Sequence, residues 1–198
     1  MRRIFIGTLV VLTIALINGC ANRKITRVDP NETIDLSGRW NDSDSRLVSE
    51  EMIGDLLTSA WIPRYVKAND KRPVVVVGLV ENKSHEHINS ETFIKDVEKA
   101  IIRDGNIRLV VAGEKRNELR KERAEQQDYA SPETTKKWGK ELGANFILQG
   151  TINSIVDSYK KQKVVTYQID LQLTNIETNE VVWMGDKKIK KQISDRVL

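Results

Sequence analysis

Val165, Tyr167, Ile169, Leu171 and Leu173 alternate with Thr166, Gln168, Asp170, Gln172 and Thr174. A period of two over this length predicts a strand with one apolar and one wet face. Asp157 to Lys163 reads as the hairpin loop before it, with Asn145 to Val156 as the preceding strand. Glu177-Thr178-Asn179-Glu180 reads as a turn, after which Val181 to Met184 pairs back. Pro73-Val74-Val75-Val76-Val77-Gly78-Leu79-Val80 is β-branched and apolar on both faces, which predicts a central strand buried on both sides. Ile107 to Val111 predicts another strand.

The period changes elsewhere. Val48, Met52 and Leu56 recur every four residues beside Ile53, Leu57 and Trp61, which predicts a helix capped at Ser43 or Asp44, ending near Ala60 and closed by Pro63. Phe93, Val97, Ala100 and Ile101 predict a second helix, capped by Asn89 or Ser90 and ended by Gly105. Lying between two predicted strands, it implies a parallel crossover. Glu114 to Gln127 is almost wholly charged and predicts a helix on the surface, with a solvated face or a partner-binding one. Ser131-Pro132-Glu133 opens a further helix carrying Trp138 and Leu142 and ending at Gly143. The predicted order is α-β-α-β-α-α-β-β-β. It describes an α/β chain of the mixed α+β kind, with one mixed sheet of four to five strands flanked by helices.

The first twenty residues follow another logic. Met1-Arg2-Arg3 precedes an apolar run from Ile4 to Ile17, then Asn18-Gly19-Cys20. The run is shorter than the roughly 20 residues a membrane-crossing helix needs. A basic start, a short apolar segment and a small residue before a cysteine resemble a bacterial lipobox. Residues 1–19 are thus expected to be a cleaved signal peptide, with Cys20 acylated through its thiol and its new amino group. Ala21, where an aspartate would retain a lipoprotein at the inner membrane, resembles an outer-membrane address. Residues 20–34 have no hydrophobic period and read as a lipidated tether, leaving 35–198 as the globular domain. From Cys20 to Ser37 the chain spans about 60 Å at full extension.

Composition narrows the chemistry. The 198 residues are 39% hydrophobic and 30% charged, too apolar for a disordered chain. The formal charge is +4, and Arg2 and Arg3 in the leader contribute two of those positive charges, so nucleic acid is not an expected partner. A single cysteine excludes an intramolecular disulfide and any multi-cysteine metal centre. His85-Glu86-His87 offers two ligands in an extended loop, short of the four a structural zinc site requires. The sequence has no Gly-x-Ser-x-Gly elbow and no phosphate-cradling glycine loop. These absences point away from an enzyme and from any cofactor, and towards a tethered binding module.

The densest cluster of interface-type residues is Arg39, Trp40, Asp42, Asp44 and Arg46. Tryptophan and arginine anchor protein interfaces more often than other residues, so this is the candidate partner-binding patch. The alternative is structural: Trp40 packs the N-terminal arm on the domain while the charges satisfy caps and turns.

Leu36-Ser37-Gly38-Arg39-Trp40-Asn41-Asp42-Ser43-Asp44-Ser45-Arg46-Leu47-Val48, then Val80-Glu81-Asn82-Lys83-Ser84, then Glu141-Leu142-Gly143-Ala144-Asn145-Phe146-Ile147-Leu148-Gln149-Gly150, resemble the LpoB-type penicillin-binding-protein activator lipoproteins. The last piece is shared more loosely with TolB N-terminal-like domains and curli-export lipoproteins. The resemblance covers about residues 35 to 193. It implies a TolB N-terminal-like fold in a monomeric, non-enzymatic lipoprotein, anchored in the outer membrane through acylated Cys20 and facing the periplasm. It also implies a class A penicillin-binding protein as partner, whose peptidoglycan synthesis the chain stimulates, and hence a role in cell-wall growth and shape. The long Pro-rich linker of the best-known activators is missing here. The alternative reading is a structural subunit of an outer-membrane secretion or curli-type export assembly.

Overall fold

The computed structural model describes residues 25–30, 32–134 and 141–194. Cys20 and Trp138 lie outside them. The chain divides into two compact units, Met1–Glu32 and Thr33–Leu198, and the second carries all the elements below. They are α1 (Asp42–Thr58), α2 (Trp61–Asn69), β1 (Val74–Asn82), α3 (Ser90–Asp104), β2 (Arg108–Val110), α4 (Gly113–Tyr129), β3 (Phe146–Tyr159), β4 (Gln162–Asn175) and β5 (Val181–Ser194).

One mixed sheet of five strands runs in the order β2-β1-β3-β4-β5. β1 pairs in parallel with β2 and β3, whereas β3 with β4 and β4 with β5 are antiparallel. The valine run is the physical centre of β1, and Val74, Val75, Val76 and Val77 are all buried. The alternating segment is β4, whose Val165, Tyr167, Ile169, Leu171 and Leu173 are each at most 1% exposed. They form one core with Val48, Met52, Ile53 and Leu56 of α1 and Phe93, Val97 and Ile101 of α3. Trp61 and Tyr65 of α2 meet the Phe146 ring edge-on, each at 5.3 Å. Such pairs contribute about 0.5–1.5 kcal/mol each beyond the area they bury.

Gly150, where β3 crosses the core, is required by space. A Cβ there would lie 2.1 Å from the Asp170 carbonyl oxygen of β4. Gly105 ends α3 at φ 77°, the left-handed position expected of it. Asn89 is the cap of α3, its side chain accepting from the Glu91 N–H.

Several expectations need correction. α1 is capped by Asn41, not by Ser43 or Asp44. It ends at Thr58, and Pro63 does not close it. Pro63 instead sits in the first turn of α2, where a missing N–H leaves no helical bond unmade. Among the described residues the order is therefore α-α-β-α-β-α-β-β-β. The helix expected after Ser131 falls mostly on residues 135–140, which lie outside the described residues; on either side of them, Ser131 is followed by a turn to Thr134, and 141–144 have no regular structure. β3 and β4 run on into the expected loop, leaving only Lys160 and Lys161 between them, Lys160 at φ 53°. β5 extends ten residues past Met184, to Ser194. Its Ile189-Lys190-Lys191-Gln192-Ile193 stretch does alternate, but lysine on the inner face hid the pattern. α4 has no buried residue, as its charge run requires. Among the described residues, no helix is long and apolar enough to cross a membrane.

Candidate partner-binding site

Asn41 and Asp44 form a capping box at the start of α1. The Asn41 side chain accepts from the Asp44 N–H at 3.1 Å, and the Asp44 carboxylate accepts from the Asn41 N–H at 2.9 Å. The box satisfies two of the amides that a helix start leaves bare. It also buries Asp44 to 5% exposure. Lys191 of β5 compensates the charge, its ammonium lying 2.6 Å from Asp44 and 2.6 Å from Asp35. It donates as well to the Arg39 carbonyl at 3.0 Å. Burial works against the charge on Lys191, but hydrogen bonds to Asp35 and Asp44 outweigh it and hold its pKa above the usual lysine value. The same ammonium holds the Asp35 carboxyl below its ordinary range. One lysine thus pins the Asp35–Trp40 arm to both the sheet and α1.

Trp40 fixes the end of that arm. Its indole N–H donates to Ser45 Oγ at 2.8 Å, and its backbone N–H donates to Glu86 Oε2 at 3.0 Å. Its ring meets Tyr167 edge-on at 5.4 Å. Tyr167 is buried, and its hydroxyl makes no hydrogen bond among the described residues. Burial, then the nearby Glu86 carboxylate, push its pKa up, so it stays a neutral phenol.

His85 stacks on the other side of this group, 6.4 Å from the Tyr167 ring. Its Nδ1 lies 2.6 Å from Ser154 Oγ and its Nε2 lies 3.3 Å from Glu86 Oε1. The ring thus bridges the Ser154 hydroxyl and the Glu86 carboxylate. Serine, histidine and glutamate in a row invite a hydrolytic reading. Each end is committed to the backbone, however: Ser154 Oγ accepts from the His85 N–H at 3.0 Å, and Glu86 accepts from Trp40. The trio latches the loop after β1 onto β3. Among the described residues, no group of three or more His, Cys, Asp or Glu is placed to hold a metal ion.

The structure therefore divides the five candidate residues. Trp40 and Asp44 turn inward and are spent on the fold. Arg39 and Asp42 are exposed, and half-buried Arg46 lies 3.6 Å from Glu50 one turn on. Asp42 also sits in the first turn of α1, where a negative charge suits the helix dipole. Sequence reasoning missed Lys191, Glu86, Ser154 and Tyr167, which hold the cluster together. Lys191 left a trace in its place between Ile189 and Ile193, which marks an inward-pointing charge on an edge strand. On the opposite face of the sheet, a groove of about 330 Å³ is lined by Leu79, Gln149, Asp170, Gln172 and Met184, among others.

A family model described as peptidoglycan-synthase activator LpoB matches residues 44–189. Comparison with curated proteins finds no match. Among solved structures, the LpoB C-terminal domain from Escherichia coli aligns over 77% of this chain and 99% of that one, at 18% identity and a TM-score of 0.46. The LpoB C-terminal domain from Salmonella enterica aligns over 66% and 98%, at 16% identity and 0.36. Lipoprotein GNA1162 from Neisseria meningitidis aligns over 61% and 83%, at 14% identity and 0.38.

Proposed function

The chain belongs to the LpoB family of peptidoglycan-synthase activators, and from that premise we propose that it binds and stimulates a class A penicillin-binding protein. The family match over residues 44–189 is the observation that carries this reading. An activator of this kind needs no reacting group of its own. It acts by binding the active conformation of the synthase more tightly than the inactive one, so that binding and activity are coupled.

In the same reading, residues 1–19 are removed, Cys20 carries the lipid, and residues 20–34 tether a monomeric domain on the periplasmic side of the outer membrane. Several acyl chains, each buried CH₂ contributing roughly 0.8 kcal/mol, hold such an anchor stably. The roughly 60 Å from Cys20 to Ser37 at full extension limits the reach, so the synthase has to extend outward to meet the domain. Arg39, Asp42 and Arg46, the outward members of the N-terminal cluster, are the first contacts to test.

The experiment is a synthesis assay with the purified full chain and a class A penicillin-binding protein from the same organism. Glycan polymerisation and crosslinking should both rise on addition of the chain and saturate with it. Unchanged rates, with no complex formed, would overturn the reading.

A further inference from the structure

The lysines of β5 fall into two sets. Those pointing inward are paired within the fold: Lys187 with Glu51, and Lys191 with Asp35 and Asp44. Those pointing outward, Lys188 and Lys190, are exposed and have no ion-pair partner among the described residues. The register sets these lysines beside uncharged residues across the sheet. Lys190 lies opposite Thr166, which lies opposite Ile155; Lys188 lies opposite Gln168, which lies opposite Asn153. At the tip of the β3–β4 hairpin stand Lys160 and Lys161, also unpaired among the described residues. Ile155 and Tyr159 lie between the two lysine pairs, each 72% exposed. Lys160 sits over the Tyr159 ring at 5.2 Å. Asp157 stands between Ile155 and Tyr159, and Asp170 and Asp186 lie opposite each other just beyond Lys188, so Lys160, Lys161, Lys188 and Lys190 outnumber the carboxylates of this face by one.

We infer that this outward face of the β3–β4 hairpin and β5 is a docking surface for an acidic protein face, supplied by the synthase. The inference rests on the function proposed above. Edge lysines also keep strands from pairing with stray chains, which accounts for Lys188 and Lys190 taken alone. It does not account for the lysines of the hairpin tip, or for an exposed isoleucine and tyrosine set between the charges. Apolar and aromatic side chains within a charged rim are the anatomy of a protein interface. The flat row of Thr166 and Gln168 between them offers hydrogen bonds to a partner surface, whereas a lipid bilayer favours a protruding apolar wedge. Charges placed this way steer association and fix its orientation.

The test measures affinity of the full chain, purified in detergent, for the penicillin-binding protein. The variants are Lys188→Glu/Lys190→Glu and Lys160→Glu/Lys161→Glu, with Lys67→Glu/Lys71→Glu as a control elsewhere on the surface. Each reversed pair should weaken binding at least about tenfold at low salt, and the control should stay within about twofold. Binding of the unaltered chain should itself weaken as salt rises from about 50 to about 500 mM. Because Lys161, Lys188 and Lys190 make no ion pair among the described residues and Lys160 makes only its exposed contact with the Tyr159 ring, the thermal midpoints should move little, which separates lost docking from lost folding. The inference is overturned if the reversed variants bind like the unaltered chain, or if the control loses as much. It is also overturned if the reversals weaken only the preference for phosphatidylglycerol over phosphatidylcholine vesicles. No binding by the unaltered chain would overturn the synthase reading itself, a result distinct from binding that ignores the lysines.

Discussion

The Lys191 ammonium lies 2.6 Å from the Asp44 carboxylate, joining the edge strand of the sheet to the first turn of the first helix. Both side chains are largely buried, at 10% and 6% exposure. Lys191→Met leaves Asp44 without its counter-charge. We expect a loss of about 2 kcal/mol, below the 3–5 kcal/mol of a fully buried pair because Asp35 keeps access to water. Denaturant unfolding of the variant beside the parent measures it. A loss under about 0.5 kcal/mol would show that the contact is merely tolerated.

The same contact sets a pH dependence. The Asp35 pKa is lowered from 3.8, so its contribution is present above that value and is lost as pH falls through the lowered pKa. The Lys191 pKa is raised from 10.5, so its contribution is complete below that value and is lost as pH rises through the raised pKa. The arm is therefore pinned across the neutral range and loosened at both extremes. Thermal midpoints recorded from acid to alkaline pH should fall less at either end for Lys191→Met than for the parent.

Trp40 acts inward, so its conservative replacement should cost stability and not affinity. Trp40→Phe keeps the ring against Tyr167 but loses the hydrogen bond to Ser45. About 1 kcal/mol should go with it, while synthase affinity should stay within about threefold. A much larger affinity loss would restore Trp40 as a docking anchor.

Gly150 closes the Leu-Gly-Ala-x-x-Ile-Leu-x-Gly stretch, and its role is steric. In Gly150→Ala, the new methyl meets the Asp170 carbonyl at 2.1 Å. Backbone cannot yield as a flexible side chain does, so β3 and β4 have to separate locally. A loss of about 3 kcal/mol is expected, at the upper end of overpacking costs. A midpoint unchanged on calorimetry would refute this.

Glu141 ties the segment before β3 to α4. Arg120, then Arg123, hold its carboxyl down at about 2. The group is exposed, so the tie is expected to matter more for local order than for global stability. It should be complete above about 4.5, the ordinary value, and weaken as pH falls towards about 2. Carbon NMR titration of the Glu141 carboxyl tests this directly, and a midpoint near 4 would remove the tie.

The repeated periods of β4, α1 and α3 were legible because each element buries one face, and burial writes its period into the residue types. The valines of β1 were legible for the opposite reason, since a strand covered on both sides shows no alternation. Pro63 misled because the same residue is forbidden inside a helix and welcome in its first turn; only the position of α2 decides between these. The second half of β5 was illegible because its inner face carries Lys187 and Lys191, whose charges are admissible only where Glu51, Asp35 and Asp44 await them.

The candidate cluster shows the same division. Local sequence placed Asp42, Asp44 and Trp40 at the start of a helix, because capping is a matter of near neighbours. It could not tell which of them face solvent and which face the core. That depended on Lys191, Glu86 and Tyr167, brought in from distant parts of the chain on β5, the loop after β1 and β4. Periodicity and capping follow from residues a few positions apart and are carried by the sequence itself. The pairing of buried charges, and the sorting of lysines into bound and free, follow from strand order and register, which exist only once the sheet has formed.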